Sequence, residues 1–251
     1  MNFNELQHEW DAQQLTYMPD REERFTAMLD AVEAVVGKAP RILDLAGGTG
    51  SITLRALQRL PDATSVVLDI DAALLAIAAG TFRGDDRVQV VSADLASAAW
   101  TAAVGDAEFD AILTSTALHW LPAERVAEVY AEAGSLLASP GIFANADHMA
   151  DDGLPVLSEL LASYRDTQRL QMLASSAATD WDGWWDRLRG EPELAAAVAE
   201  RDARFAARGG SAHTESAMPA SWHVATLRAA GYAETGLVWR GFTDAVVVGT
   251  R

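Results

Sequence analysis

The sequence has no cysteine and only one lysine, Lys38. Without cysteine, the chain cannot form disulfides, use a thiol nucleophile or bind a metal through thiolates. Its 36 acidic residues exceed its 19 basic ones and give a formal net charge of −17, which argues against nucleic acid or an anionic membrane as a partner. The stretch MNFNELQHEW lacks a basic segment followed by an apolar run, and no segment is long and apolar enough to span a bilayer. We therefore expect a cytoplasmic protein.

Short β-branched apolar runs alternate with longer helical patterns as far as about residue 147. This alternation predicts βαβ units and a parallel sheet. The predicted strands are 41–45, 64–69, 87–92, 109–115 and 140–147. The predicted helices are 21–37, 50–60, 71–80, 96–103 and 122–138. Such short connections place the turns that follow the strands along one edge of the sheet.

The pattern changes after residue 150, where 151–219 shows helical runs and no strand signal. We predict that this segment is a helical cap over the carboxyl edge of the sheet, with a mobile loop at 207–216. The chain then gives a helix and two strands, YAETGLVWR and FTDAVVVGTR, spaced closely enough to pair as a hairpin. The predicted fold is therefore α/β: a doubly wound, seven-stranded, mostly parallel sheet with an antiparallel last strand and an inserted helical cap. Residues 38–150 and 220–251 form its core.

The stretch ILDLAGGTG, residues 42–50, ends the first strand in an acid and a glycine turn. It lacks the third glycine of a dinucleotide fingerprint, and the chain has no phosphate-binding G-x-x-x-x-G-K-[ST] loop. Asp44, Asp69 and Asp94 stand at the ends of three successive strands, where carboxylates can accept hydrogen bonds from an ammonium group, a ribose diol or an adenine edge. Three acids without a basic group favour a cationic ligand that has a ribose and no phosphate. S-adenosylmethionine fits this description.

On these motifs the sequence resembles the class I, seven-stranded S-adenosylmethionine-dependent methyltransferases. ILDLAGGTG resembles their first motif, VVLDID their second-strand acid, SADL their adenine motif, and LRAAGYAETGLVW with AVVVGTR their final helix and hairpin. The segment FDAILTSTALHWL is most similar to that of small-molecule carboxylate methyltransferases of the trans-aconitate type. The resemblance covers about 38–147 and 220–251 and leaves the cap unmatched.

The resemblance implies a role for each matching position. The glycines would let the backbone approach the methionine part of the cofactor, Asp69 would take both ribose hydroxyls, and Asp94 would contact the adenine amino group. Asp44 would support the turn and the methionine ammonium group. The cofactor-contacting positions are then Asp44, Ala46, Gly47, Gly48, Gly50, Asp69, Ile70, Asp94, Leu95 and Ser115.

Residues 1–37 are predicted to form a helical lid over the cofactor, with Tyr17 and Arg21 as contacts to its methionine end. A guanidinium at Arg21 suits the methionine carboxylate. The alternative is that Arg21 lies on a solvated helix face with Glu22 and Glu23.

Three histidines are predicted to meet at the carboxyl edge of the sheet: His119, His148 and His223. His8 and His213 lie in segments that look mobile. His119 and His148 are the candidates for a base that removes a proton from the acceptor; the alternative is that His119 packs over the cofactor. A second alternative is a metal site formed by Asp147, His148 and His223, which are ligand types that suit a divalent iron-like ion.

The acceptor pocket is predicted to be apolar and capped, and its contacts to be Trp120, Trp185 and His223. Buried tryptophans serve more often in ordinary packing, and that alternative stays open for several of the indoles. We expect methyl transfer to an O, N or C nucleophile of a small molecule, with S-adenosylhomocysteine as product, by a monomer or homodimer. The alternatives are another reaction of the same cofactor, such as a cyclisation, or a cofactor sensor.

Overall fold

The computed structural model describes residues 1–105, 108–175, 181–207 and 218–251. Within them the chain forms a seven-stranded sheet with the order β3-β2-β1-β4-β5-β7-β6. The strands are β1 (Arg41–Leu45), β2 (Thr64–Asp69), β3 (Val88–Ser92), β4 (Phe109–Ser115), β5 (Leu137–His148), β6 (Glu234–Arg240) and β7 (Asp244–Thr250). Strands β1 to β5 pair in parallel, and β7 runs antiparallel to both β5 and β6. The predicted fold class is confirmed.

The helices flank this sheet and alternate with its first five strands. They are α1 (Phe3–Tyr17), α2 (Arg21–Val36), α3 (Ser51–Arg59), α4 (Ala72–Thr81), α5 (Trp100–Ala103), α6 (Ala123–Leu136), α7 (Pro155–Ser175), α8 (Trp181–Arg189), α9 (Ala195–Ala207) and α10 (Ala220–Ala229). A 3-10 helix, Leu118–Trp120, follows β4. Among these helices none is long and apolar enough to cross a membrane.

The core lies on both faces of the central strands. On β1, Leu43 belongs to one apolar cluster and Ile42 to the other, and on β4 the same division separates Ile112 from Leu113. A strand buried on both faces needs apolar residues at successive positions, which is why these strands appear in the sequence as continuous apolar runs. The polar residues that end such strands are therefore the exceptions that point to a site.

The sequence predicts the ends of helix α4 more accurately than those of helix α6. Asp71 caps α4 by accepting hydrogen bonds from the amides of Ala73 and Leu74 at 2.9 and 3.1 Å, as its position before the helix predicts. Strand β5 begins at Leu137 instead of 140, because Leu137 pairs with Phe109 of β4, so α6 ends two residues earlier than predicted. Only Trp100–Ala103 of the predicted helix 96–103 is helical.

The N-terminal segment is helical and packed, so the expectation that His8 lies in a mobile segment is wrong. His8 lies on α1, whose Leu6 and Trp10 pack with α4, α8 and α9 in one apolar cluster. His213 and nearly all of the predicted loop 207–216 lie outside the described residues. Helices α8 and α9 of the predicted cap thus pack with α1 against α4.

Candidate active site

The turn after β1 bends through left-handed backbone conformations. The φ angles of Ala46, Gly48 and Gly50 are +54°, +57° and +79°, and the Gly47 amide donates to the carbonyl of Leu68 on β2 at 3.0 Å. A backbone φ near +54° is uncommon for residues other than glycine, asparagine and aspartate. Ala46 therefore has a strained backbone of the kind found at functional sites. The turn is held close to the end of β2.

Asp44 is fully buried beneath this turn. Its Oδ2 accepts hydrogen bonds from the amide and the hydroxyl of Thr53 at 3.0 and 2.8 Å, whereas Oδ1 is buried and has no partner among the described residues. Burial raises the pKa of the Asp44 carboxyl to about 6. An unpartnered buried acceptor is costly unless a donor reaches it, which fits the predicted support of a ligand ammonium group.

Substitution of Gly47 by alanine is expected to lower the free energy of unfolding by about 1–3 kcal/mol, as overpacking typically does. A Cβ at Gly47 would lie 2.6 Å from the Asp44 carboxylate. Urea denaturation measures the change. Gly236→Ala on β6 is the matched control, because a Cβ there meets nothing within 4 Å. Equal effects of the two substitutions would contradict the close approach at the turn.

Asp69 lies at the end of β2, directly beside the turn. Its Oδ2 accepts from the amide of Gly48 and its Oδ1 from the amide of Asp71, both at 2.8 Å. Burial raises the pKa of the Asp69 carboxyl to about 6. Each carboxylate oxygen can accept more than one hydrogen bond, so Asp69 can serve both these amides and a diol.

The turn after β3 places Asp94 and Leu95 on the same edge. Asp94 Oδ1 accepts from the amide of Ala96 at 2.8 Å, and the carbonyl of Leu95 accepts from Arg125 Nε of α6 at 2.6 Å. Arg125 was not predicted from the sequence. Nothing in its local pattern shows that α6 reaches the turn after β3.

Strand β4 ends on the same edge with Ser115, whose hydroxyl oxygen is buried and has no partner among the described residues. Thr116 follows with φ +50° and donates its amide to the carbonyl of Ala146 at 2.8 Å. The strained residue after β4 mirrors the strained Ala46 after β1. Both lie where the carboxyl ends of neighbouring strands meet.

Two histidine–aspartate pairs stand side by side next to β4 and β5. His119 Nδ1 lies 2.6 Å from Asp147 Oδ1, His148 Nδ1 lies 2.5 Å from Asp244 Oδ1, and the two imidazole centroids are 5.3 Å apart. Burial opposes the charge of Asp147, but His119 and His148 hold its pKa below the usual value. Burial also opposes protonation of His148, yet its hydrogen bond to Asp244 raises the pKa of the imidazole. The structure thus brings the two predicted catalytic histidines together.

Asp244 is held by charged residues that were not predicted from the sequence. Its Oδ2 lies 2.9 Å from Arg24 of α2 and 3.7 Å from Arg165 of α7, and both arginines also contact Asp20. Burial opposes its charge, but His148 and Arg24 lower the pKa of Asp244. These residues are far apart in sequence, which is why no local pattern connects them to His148.

The third predicted histidine, His223, is part of the core. Its Nδ1 lies 2.6 Å from the hydroxyl of Tyr130, which accepts from Asn145, and burial lowers the pKa of His223 to about 4. Within the described ranges no group of three or more histidine, aspartate and glutamate side chains is arranged to bind a metal ion. The alternative metal site of Asp147, His148 and His223 is therefore not formed.

Arg21 lies in a buried ion pair, and its contact with the methionine carboxylate stays a prediction. It is buried and donates to Asp11 of α1 at 2.7 Å, and Asp11 also accepts from Ser51 and Arg55 beside the glycine turn. Burial opposes the charge of Asp11, but Arg21 and Arg55 lower its pKa. Asp11 thus links the lid to α3, and Arg21 is ion-paired with it inside the lid. A solvated face with Glu22 and Glu23 is excluded by its burial.

The remaining predicted contacts lie at different depths. Tyr17 has the guanidinium of Arg169 5.7 Å from its ring centroid, on the side of α7. Trp120 is 46% exposed and its ring centroid is 4.8 Å from that of His119, so it lies at the rim of the histidine pairs. Trp185 is buried against Trp184, with the Arg201 guanidinium 3.4 Å from its ring centroid. Its surroundings are those of a packing residue.

Comparison with known proteins bears on this edge of the sheet. The family model of methyltransferase domains matches residues 42–141, which contain the glycine turn and the ends of β1 to β4. The predicted resemblance is confirmed as far as this match and the class I fold are concerned.

The individual proteins that the chain is similar to share only part of their length with it. The ubiquinone/menaquinone biosynthesis C-methyltransferase of Methylobacterium nodulans is 34% identical over 119 residues, which are 47% of this chain and 46% of that protein. An O-methyltransferase family protein of Burkholderia thailandensis superposes with a TM-score of 0.58 at 20% identity, covering 90% of this chain and 55% of that one. Human N-acetylserotonin methyltransferase, in complex with SAM, gives 0.57 at 14%, covering 98% and 55%. The chain thus spans about half the length of each.

Proposed function

We propose that the chain is an S-adenosylmethionine-dependent methyltransferase acting on a small molecule. The observation that carries the proposal is the arrangement of Asp69 and the glycine turn, where a buried carboxylate bonds the Gly48 amide in a turn without basic residues. The match to methyltransferase domains and the SAM complex of the human structural neighbour support the same cofactor. A cytoplasmic location and a monomeric or homodimeric state remain predictions.

The residues at the sheet edge fit this cofactor. Asp69 would hold the ribose, Asp94 and Leu95 the adenine, and the unpartnered oxygens of Asp44 and Ser115 would receive donors from the methionine part. The absence of a Cβ at Gly47 lets the turn lie directly against the Asp44 carboxylate. When bound, the cofactor supplies an electrophilic methyl group on a sulfonium, so the protein's task is to align the acceptor and exclude water.

His119 is proposed to remove a proton from the acceptor. Asp147 is ionised and accepts from His119 Nδ1, which fixes the tautomer and leaves Nε2 as the proton acceptor. The amide of His119 also donates to Asp147 Oδ2 at 3.2 Å, so the backbone and the ring are oriented by one carboxylate. The alternative, in which His119 only packs, has less support because the buried carboxylate of Asp147 orients its ring and its backbone amide.

His148 is proposed to assist at the mouth of the same site. Its side chain is 39% exposed. Because its pKa is raised, His148 is protonated to a greater extent than an ordinary histidine at the same pH. A protonated imidazole suits orientation of the acceptor, for example of the carboxylate that the trans-aconitate-type resemblance suggests. Lid 1–37, core 38–150 with 220–251, and cap 151–219 would enclose an apolar acceptor pocket at this mouth, with Trp120 at its rim.

Transfer of a radiolabelled methyl group from the cofactor to a cell metabolite extract tests this function. We expect the label to appear in a small-molecule product, with S-adenosylhomocysteine formed in equal amount. The variant Asp69→Ala is the control, and it should transfer little label to any product. If the wild-type chain binds the cofactor but leaves the label on it, the protein is a sensor and not a methyltransferase. Label confined to a product derived from the cofactor itself would indicate the cyclisation alternative.

A further inference from the structure

Helix α9 lies outside the matched residues 42–141, yet it contacts the chain immediately after Asp69. Arg204 of α9 donates to the carbonyl of Ile70 at 2.9 Å, and Arg201 Nε donates to Asp71 Oδ2 at 2.8 Å. Asp71 is buried, so this ion pair is shielded from solvent. Shielded charge pairs interact more strongly than exposed ones.

Asp71 in turn contacts Asp69. Its amide donates to Asp69 Oδ1 at 2.8 Å, while its own Oδ1 caps α4. Burial is the main cause that raises the pKa of Asp69, and the nearby negative charge of Asp71 raises it further. Burial raises the pKa of Asp71 too, and Arg201 opposes this rise. Two buried carboxylates thus lie beside each other, and the guanidinium of Arg201 is bound to one of them.

Arg201 is itself held firmly in place. Its guanidinium carbon lies 3.4 Å from the ring centroid of Trp185 and 4.8 Å from that of Phe205, and its NH1 donates to Asp202 at 3.1 Å. A guanidinium stacked on an aromatic face loses little further freedom when it forms an ion pair. The buried Trp185 therefore holds the Arg201 guanidinium, which is a role other than contact with the acceptor.

We propose that Arg201 is a positioning residue of the cofactor site, which acts through Asp71 to hold the Asp69 carboxylate in place for the ribose. This inference rests on the proposed function, because it takes Asp69 as the ribose ligand. It implies that the cofactor binds tightly only when α9 is docked on the β2–α4 turn. The segment that is proposed to shape the acceptor pocket therefore also completes the cofactor site.

The substitution Arg201→Gln tests this inference through binding rather than activity. The affinity for S-adenosylhomocysteine is measured by calorimetry between about pH 5.5 and 8. Without the guanidinium, the Asp69–Asp71 pair takes up its first proton at a higher pH. We expect the pH below which affinity falls to move upward by about one unit, so that the Kd rises about twofold at about pH 7 and about eightfold at about pH 5.5, since one pKa unit corresponds to a tenfold change well below both midpoints.

Two control variants separate this role from general damage to the cap. Arg189→Gln removes an exposed arginine of α8 that also pairs with Asp202 but not with Asp71, and it should leave Kd and its pH dependence unchanged. Arg201→Lys keeps the charge and should restore the pH midpoint in part. If Arg201→Gln lowers affinity equally at every pH, the residue is merely structural and the inference is wrong.

A double-mutant cycle with Asp71→Asn identifies the path of the effect. Asparagine can still cap α4 but carries no charge, so Arg201→Gln should shift the pH midpoint in the wild-type background and not in the Asp71→Asn background. A full shift in both backgrounds would overturn the proposed action through Asp71. Failure of the wild-type chain to bind S-adenosylhomocysteine at any pH would instead refute the proposed function.

Discussion

Replacement of Asp69 by alanine is expected to raise the Kd for S-adenosylhomocysteine about a hundredfold at pH 7.5, as measured by calorimetry. In the proposed site the ionised carboxylate receives two ribose hydroxyls, and hydrogen bonds to a charged group contribute about 1.5–3 kcal/mol each. Two such bonds at the lower end of that range amount to about 3 kcal/mol, which corresponds to slightly more than two factors of ten in Kd. The substitution also removes the partner of the Gly48 amide, which loosens the turn in the same direction.

The same carboxyl predicts a pH dependence of cofactor binding. Its raised pKa of about 6 means that it is ionised above that pH and protonated below it. Because the protonated form loses acceptor capacity for the diol, affinity should fall as the pH decreases through about 6 and should be constant well above it. In Asp69→Asn the part of this titration that belongs to Asp69 should disappear and leave that of Asp44, whose pKa is also about 6.

A suitable control is Asp85→Ala, which removes a carboxylate that pairs with Arg87 ahead of β3, at the opposite edge of the sheet. It should bind S-adenosylhomocysteine like the wild type. An unchanged affinity in Asp69→Ala would refute the ribose assignment. A loss of similar size in both variants would indicate general destabilisation of the β2–β3 region.

Signals confined to a few neighbouring residues predicted the fold well. Apolar runs at β1, β2 and β4 mark strands buried on both faces, and Asp71 marks the start of α4 because a cap bonds amides two and three residues ahead. The hairpin of β6 and β7 follows from the short connection alone. Each inference needed only local geometry, which the sequence contains directly.

The partners of the site residues depend on contacts between distant segments. Arg21 has two glutamates as sequence neighbours, but its actual partner is Asp11 on the preceding helix. His148 meets Asp244 across 96 positions and Asp71 meets Arg201 across 130. Such pairs form because packing of helices and strands brings charges into low dielectric, where each needs a partner. A single sequence carries no local record of which partner that is.

Contacts between distant segments also explain why the three predicted histidines have different partners. His119, His148 and His223 all follow or precede elements at one edge, so their convergence looked uniform from the sequence. The structure gives His119 and His148 carboxylate partners, whereas His223 is bonded to the neutral hydroxyl of Tyr130. A carboxylate stabilises the imidazolium that forms on proton uptake. Only the first two are thus equipped for acid–base chemistry.

His119→Ala is expected to lower kcat by a factor of about 10²–10⁴, the usual contribution of a general base, while the Kd for S-adenosylhomocysteine stays within about twofold. The expected split follows from the structure, because the hydrogen bonds of His119 among the described residues go to Asp147 and not to Asp44, Asp69 or Asp94. Single-turnover methyl transfer and calorimetry measure the two quantities separately. Equal losses in both would make His119 a packing residue.

The pair partner sharpens this test. Asp147→Asn can leave the imidazole in place but removes the charge that fixes its tautomer, so kcat should fall while cofactor affinity again changes little. His8→Ala, an exposed histidine on α1, is the control for a general histidine effect and should be neutral. If Asp147→Asn were fully active while His119→Ala was inactive, the base would not depend on its carboxylate, and the role assigned to Asp147 would be wrong.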